Sequence, residues 1–199
     1  MMRRSFRSSD GRCHNYHIHC QHECDTGPLV VYLPSTHCEA PLHQASFPFS
    51  LLTFEIEPMI GKPNRHPFPK WILEVLLWLR HVDDEQRWSN VDWFLLGCSR
   101  GAAWGLEAIT GDEGKSLKFK NVMLVAPYLQ GPIRIDPILC DKIQQGLSNR
   151  VVVFIGENDW WKPCEKLMGM LVAAEVCNFS LPANHKELLT QLRLETSWP

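Results

Sequence analysis

The stretch DWFLLGCSRGAAWG, residues 92–105, decides the reading of this chain. Its first six residues, Asp92 and then an apolar run, are of strand length and stop at Gly97. From Arg100 to Ile109 the sequence turns to good helix formers, Ala102, Ala103, Leu106 and Ala108 among them. Between the two lies Gly97-Cys98-Ser99-Arg100-Gly101, a G-x-S-x-G pentapeptide. A strand, a sharp turn and a helix in direct succession hold one serine in a strained backbone conformation with its hydroxyl turned outward. Gly97 and Gly101 leave room for the two backbones to approach. The amide of Arg100 falls at the helix N-terminus, where unpaired N–H groups and the helix dipole favour negative charge. It is a candidate donor to an oxyanion. The competing reading makes Ser99 an ordinary N-cap.

Working outward, short apolar runs recur on both sides. They are PLVVYL (28–33), SLLTFEI (50–56), NVMLVAP (121–127), RVVVFIG (150–156) and EVCNFSLP (175–182). Several are apolar on successive residues, as expected of strands covered on both faces. Helical patterns alternate with them. Pro69 opens one, with Trp71, Val75, Trp78, Leu79 and Val82 on a single stripe. Residues 136–147, 163–174 and 186–194 carry three more. Such alternation implies an α/β protein: three layers, doubly wound, around a mostly parallel sheet of about six strands.

Composition limits the alternatives. Of 199 residues, 45% are hydrophobic and 21% charged, which suits an ordinary globular domain. Lys plus Arg is 20 against 22 Asp plus Glu, a formal net charge of −2, so no basic stripe argues for nucleic acid as partner. No apolar run is long enough for a membrane span. The eight cysteines lack framework-like spacing and read as reduced thiols. The first residues stand apart. Arg3, Arg4 and Arg7 give them the flavour of an organelle address, but the stretch is short, and the cytoplasm is the expected location. CHNYHIHCQHEC (13–24) then holds seven Cys or His residues without zinc-motif spacing. Residues 1–24 read as a Cys/His-rich flexible tail, or at most an edge hairpin, and 25–199 as the domain. No metal and no cofactor are expected.

The pentapeptide in its strand–turn–helix setting resembles that of the α/β hydrolases, whose members carry nucleophile, acid and histidine in that chain order. Two later segments follow the same order. In VVVFIGENDWWKP, Asp159 lies just after an apolar strand. In NFSLPANHKELL, His185 follows the last strand and precedes a helix. The resemblance implies a serine hydrolase of esterase, lipase or thioesterase kind, with Ser99, Asp159 and His185 as catalytic triad. It also implies a second oxyanion donor after the first of these strands, carried over to Thr36 (or Ser35). Relatives often have glycine there, and this chain has Pro34-Ser35. Trp160 and Trp161, directly after the acid, are candidates for a substrate-binding wall. Trp104 reads as core, and Cys98 as a small buried residue. Only about two dozen residues separate residue 127 from 150, too few for a lid domain beside one helix. The expected partner is a small-molecule ester or thioester. The alternative is a catalytically inactive binding protein on the same fold, motivated by the missing glycine.

Overall fold

The computed structural model describes residues 2–20, 27–34, 49–56, 69–82, 87–110, 113–126, 150–156, 158, 177–182 and 187. Eight strands are found there: β1 (Met2–Arg7), β2 (Cys13–His19), β3 (Leu29–Leu33), β4 (Ser50–Phe54), β5 (Trp93–Cys98), β6 (Asn121–Val125), β7 (Arg150–Gly156) and β8 (Cys177–Leu181). Helix α1 (Lys70–His81) precedes β5, and α2 (Arg100–Thr110) follows it. The expected helices at 136–147 and 163–174 lie outside the described residues. So does nearly all of 186–194, where Glu187 alone is described, as helical.

The strands form one sheet in the order β1-β2-β4-β3-β5-β6-β7-β8. Every pair from β4 to β8 is parallel, and β2 runs antiparallel to both its neighbours. The central strands explain themselves. β3 and β4 are buried at every position, which requires cover on both faces of the sheet. Leu29, Val31 and Leu33 belong to the larger core, with Ile72, Val75, Leu76 and Leu79 of α1 and Ala102, Trp104 and Ala108 of α2. Val30 and Tyr32 alternate onto the opposite face, in a second cluster with Leu51, Cys98, Val125 and Ala126. Trp104 is thus a core residue, and Cys98 a buried cysteine outside any disulfide.

The six parallel strands β3 to β8 are those expected, and among the described residues the sheet gains two more from residues 2–19, which form the edge hairpin rather than a flexible tail. The reason lies in β2. His14, Tyr16 and Ile18 alternate toward α1, with Tyr16 and Ile18 fully buried in the larger core. His14 takes the place of an apolar residue by stacking on Trp71, ring centroids 4.3 Å apart and planes 3° from parallel. The connecting turn uses Gly11 at φ +82° and is tied to α1 by the Ser9 amide, which donates to Glu74 at 2.8 Å. On the outer face Glu55 accepts from Asn15 Nδ2 (2.8 Å), Arg3 Nη2 (3.0 Å) and His17 Nε2 (2.7 Å), which fastens β1 and β2 to the end of β4.

The stripe on α1 is also shifted. Ile72, Val75, Leu76 and Leu79 are buried, Trp71 and Trp78 are half-buried, and Val82 is exposed. The two tryptophans serve the hairpin instead: Trp71 stacks on His14, and Trp78 meets Phe6. After α1 the chain is pinned before it enters β5. Arg80 Nη1 donates to the carbonyls of Trp88 (3.3 Å) and Val91 (3.0 Å), and its guanidinium lies over the Trp93 ring. Burial holds the Arg80 pKa below its ordinary value, partly offset by Asp92. The strand that leads to Ser99 therefore starts from a fixed point.

Candidate active site

The strand order reverses once. From β3 the chain moves outward to β4; after α1 it returns to the other side of β3 and proceeds through β5 to β8. The carboxyl ends of β3 and β5 therefore flank the switch point, where open α/β sheets form a crevice for ligands. Ser99 stands at the end of β5, at that switch point.

The local backbone is specific. Ser99 has φ +54°, in the left-handed region. A non-glycine residue there costs roughly 1–2 kcal/mol and persists only where its surroundings over-determine it. Those surroundings are visible. The Ser99 amide donates to Val125 O at 2.8 Å, and its carbonyl accepts from the Ala102 amide at 3.1 Å. A Cβ on Gly97 would stand 2.6 Å from Ala102 Cα and 2.7 Å from Gly101 O. A Cβ on Gly101 would collide with the carbonyl of Leu33 and stand 2.8 Å from Pro34 O. So α2 starts hard against the ends of both β5 and β3. An N-cap residue takes extended backbone angles, so φ +54° removes the ordinary-cap reading of Ser99. Ser99 is 9% exposed, and Arg100 directly after it opens α2.

Thr36, Ser35, Asp159, Trp160, Trp161 and His185 lie outside the described residues. The strands that lead to them do not. β3 ends beside Gly97, Leu33 against Gly97 in register, one residue before Pro34. β7 ends at Gly156, and β8 ends at Leu181 paired with it. All these ends lie on the same edge of the sheet as Ser99, because the strands are parallel.

Ala126 was not singled out in the sequence. It follows β6, adjoins Ser99 in the sheet register, and also has a left-handed backbone, φ +45°. Its place before Pro127 gave no warning, since that context favours extended angles.

Among the described residues, no three of His, Cys, Asp and Glu converge as metal ligands. The hairpin's alternation accounts for this. His14 turns to α1, while His17 meets Glu55 on the other face. Cys20 packs against the core and accepts from Ser50 Oγ. His22 and Cys24 lie outside the described residues.

Comparison with solved structures gives one answer. A hydrolase from Pseudomonas aeruginosa superposes with a TM-score of 0.64 at 13% identity, over 96% of this chain and 94% of its own. An esterase from Pyrococcus furiosus gives 0.66 at 12% identity, over 98% and 87%. The chain has the α/β-hydrolase fold. A third such neighbour, a serine hydrolase without a lid from Xanthomonas campestris, gives 0.60 at 12% identity, over 96% and 89%. No protein-family model matches the chain, and comparison with curated proteins finds no match. Among the described residues, no helix is long and apolar enough to cross a membrane.

Proposed function

We propose that this α/β-hydrolase-fold protein is a serine hydrolase that cleaves a carboxylic ester or thioester through an acyl-enzyme intermediate. The observation that carries the reading is Ser99, held at φ +54° at the switch point between two glycines where any larger residue would force backbone apart. Storing strain on one serine at a strand–helix turn suits a nucleophile.

The other two roles fall to Asp159 and His185. β7 is two strands from β5, and β8 is three. At about 4.8 Å per strand these offsets are roughly 10 and 14 Å. Asp159 lies three residues beyond Gly156, and His185 four beyond Leu181. At about 3.3–3.6 Å per residue the backbones reach roughly 10 and 13–14 Å, before the side chains add their own length. Both groups are thus within range of Ser99.

In the proposed reaction His185 takes the proton of the Ser99 hydroxyl as Oγ attacks the substrate carbonyl. The oxyanion is met by the Arg100 amide and by an amide at Thr36 (or Ser35). Its collapse expels the alcohol or thiol, which leaves with the proton from His185. Water, activated by the same imidazole, then attacks the acyl-enzyme and frees the acid and Ser99. Asp159 fixes the tautomer of His185 and stabilises its imidazolium form. Trp160 and Trp161 would wall the acyl or leaving group. Cys13, Cys20 and Cys98, none of them in a disulfide, suit a reducing, cytoplasmic setting.

The test is labelling of the folded protein by a fluorophosphonate probe, with Ser99→Ala as control. Labelling that disappears in the variant is expected, together with turnover of a panel of p-nitrophenyl esters and thioesters. Folded wild-type protein that neither labels nor turns over any member overturns the reading. Ligand binding that survives Ser99→Ala would then favour a non-catalytic binding protein.

A further inference from the structure

β1 and the turn after it place three serines among arginines, in RRSFRSSD, residues 3–10. The sequence treats Ser5, Ser8 and Ser9 alike, and the structure does not. Ser8 is 6% exposed; its hydroxyl donates to Asp10 and stands 3.1 Å from His14 Nε2. That bond from Ser8 is the first cause holding the Asp10 carboxyl below its ordinary range. Ser9 is exposed, but its amide and its hydroxyl both donate to Glu74. A phosphate on either serine would be set against a carboxylate.

Ser5 has the opposite surroundings. It is exposed on β1, with Arg3 and Arg7 two residues before and after it, both exposed. Strand alternation puts all three on one face. Phe6 turns to the other face, where it meets Trp78 of α1. Positions two apart on a strand are about 7 Å from each other, a span that an arginine side chain crosses. Arg7 Nε donates to a neutral acceptor, Gly11 O, at 3.3 Å. Arg3 is paired with Glu55 in an exposed ion pair, a kind that is weak and readily exchanged. The Ser5 hydroxyl donates to Asn15 Oδ1 at 2.8 Å, also at the surface. Among the described residues, no strand pairs with the outer side of β1. Its extended backbone is therefore open to an enzyme that reads an extended segment.

We propose that Ser5 is a phosphorylation site for an arginine-directed protein kinase, and that its phosphate is held between Arg3 and Arg7. The γ-phosphoryl group of ATP passes to Ser5 Oγ. The Oγ–P bond forms, and the bond from the γ-phosphorus to the bridging oxygen breaks. The hydroxyl proton goes to the base of the kinase, and ADP leaves. The new group carries a charge of about −1.5 to −2 and three acceptor oxygens, which suits two guanidinium groups. It then competes with Glu55 for the Asn15 amide and for Arg3, the first two ties of that carboxylate. Modification thus loosens the hold of β1 and β2 on the end of β4. The proposal is independent of the hydrolase reading.

The full, folded chain is incubated with a panel of arginine-directed serine kinases and Mg-ATP, and the modified residues are mapped by tandem mass spectrometry. Ser5 is expected to take phosphate about tenfold or more faster than Ser8 or Ser9, and Ser5→Ala to lose that incorporation. Ser8 or Ser9 modified as fast as Ser5, or no phosphate at Ser5, overturns the proposal. The arginine clamp is tested without any kinase, on full chain carrying phosphoserine introduced genetically at position 5. Its second ionisation, ordinarily at roughly pH 6, is followed by phosphorus NMR. The midpoint is expected to lie lower than in the same chain with Arg3→Gln and Arg7→Gln, and the Glu55 carboxyl to titrate higher than in unmodified protein. Equal phosphate midpoints in the two backgrounds overturn the clamp, and so does an unchanged Glu55. Unfolding of the chain by phosphoserine at position 5 overturns it as well.

Discussion

Replacing Gly101 by alanine adds one methyl group at the tightest point of the molecule. The new Cβ would lie under 3.0 Å from three atoms, the carbonyl carbon and oxygen of Leu33 and the carbonyl oxygen of Pro34. The mildest of these, Pro34 O at 2.8 Å, is already 0.6 Å inside ordinary contact at 3.4 Å, and the Leu33 atoms are nearer still. None can rotate away, because all are backbone at the end of a buried central strand. The start of α2 and the end of β3 must part. Overpacking of well-packed sites costs typically 1–3 kcal/mol, and a clash confined to backbone belongs at or above the upper end, about 3 kcal/mol. The same displacement moves Ser99, two residues earlier, and a shift of about 1 Å at a catalytic group costs on the order of 100-fold in rate. The assay is urea unfolding followed by near-UV circular dichroism, with kcat measured on one ester. Gly105→Ala is the internal control. Its Cβ would be nearest the side-chain ends Leu95 Cδ2 (3.2 Å) and Leu124 Cδ2 (3.3 Å), which can give by a few tenths of an ångström. Alanine's helix preference over glycine, about 1 kcal/mol, offsets that crowding, so its stability should change by less than about 1 kcal/mol. Gly101→Ala as stable as Gly105→Ala would refute the close approach of α2 to β3 and the placement of Ser99 derived from it.

Strain at Ser99 has its own signature: Ser99→Gly should be more stable than Ser99→Ala by about 1 kcal/mol in chemical denaturation, since both lose the hydroxyl and only glycine takes φ +54° freely. Ile18→Ala should cost about 2–5 kcal/mol in the same measurement, because Ile18 is fully buried; an unchanged midpoint would return the first residues to the status of a tail. Glu55 has its pKa lowered to about 2 from an ordinary 4.5, by hydrogen bonds from Asn15 first and then Arg3 and His17. Its stabilisation is therefore full above pH 4.5 and lost as pH falls toward 2; wild type should exceed Glu55→Gln at pH 6 by no more than about 1 kcal/mol, since the side chain is 40% exposed, and the difference should vanish in acid titration.

The centre of the parallel sheet was legible because β3 and β4 are buried at every position. LVVYL, WFLLGC and RVVVFIG announce themselves as apolar runs; the first two begin or end within one residue of the expected limits, and the third matches them. The turn at Ser99 was legible because only glycine permits the approach of α2. β2 was not. Its inward row is His14, Tyr16 and Ile18, and only stacking on Trp71 shows that the imidazole behaves there as an aromatic. The outward row is Asn15, His17 and His19, so neither face of β2 carries the apolar alternation that marks a strand. Ala126 was illegible for a different reason, since nothing in an alanine before a proline signals a positive φ.

The first two strands also give the arginines near the N-terminus a physical role that competes with an organelle address. β4 is buried at all five positions, and without β2 it would end the parallel array as an apolar strand with unpaired amides and carbonyls. Such an edge invites pairing with other chains, and proteins blunt it with cover and with charge. β2 supplies the cover, and β1 moves the edge one strand further out. On that new edge Arg3 and Arg7 are exposed, and Arg3 reaches back across β2 to Glu55 at the end of β4. Two copies of this strand brought together would oppose cation to cation. Charge that looked like a targeting signal in the sequence thus sits where a sheet of this order needs it, at the boundary where pairing has to stop.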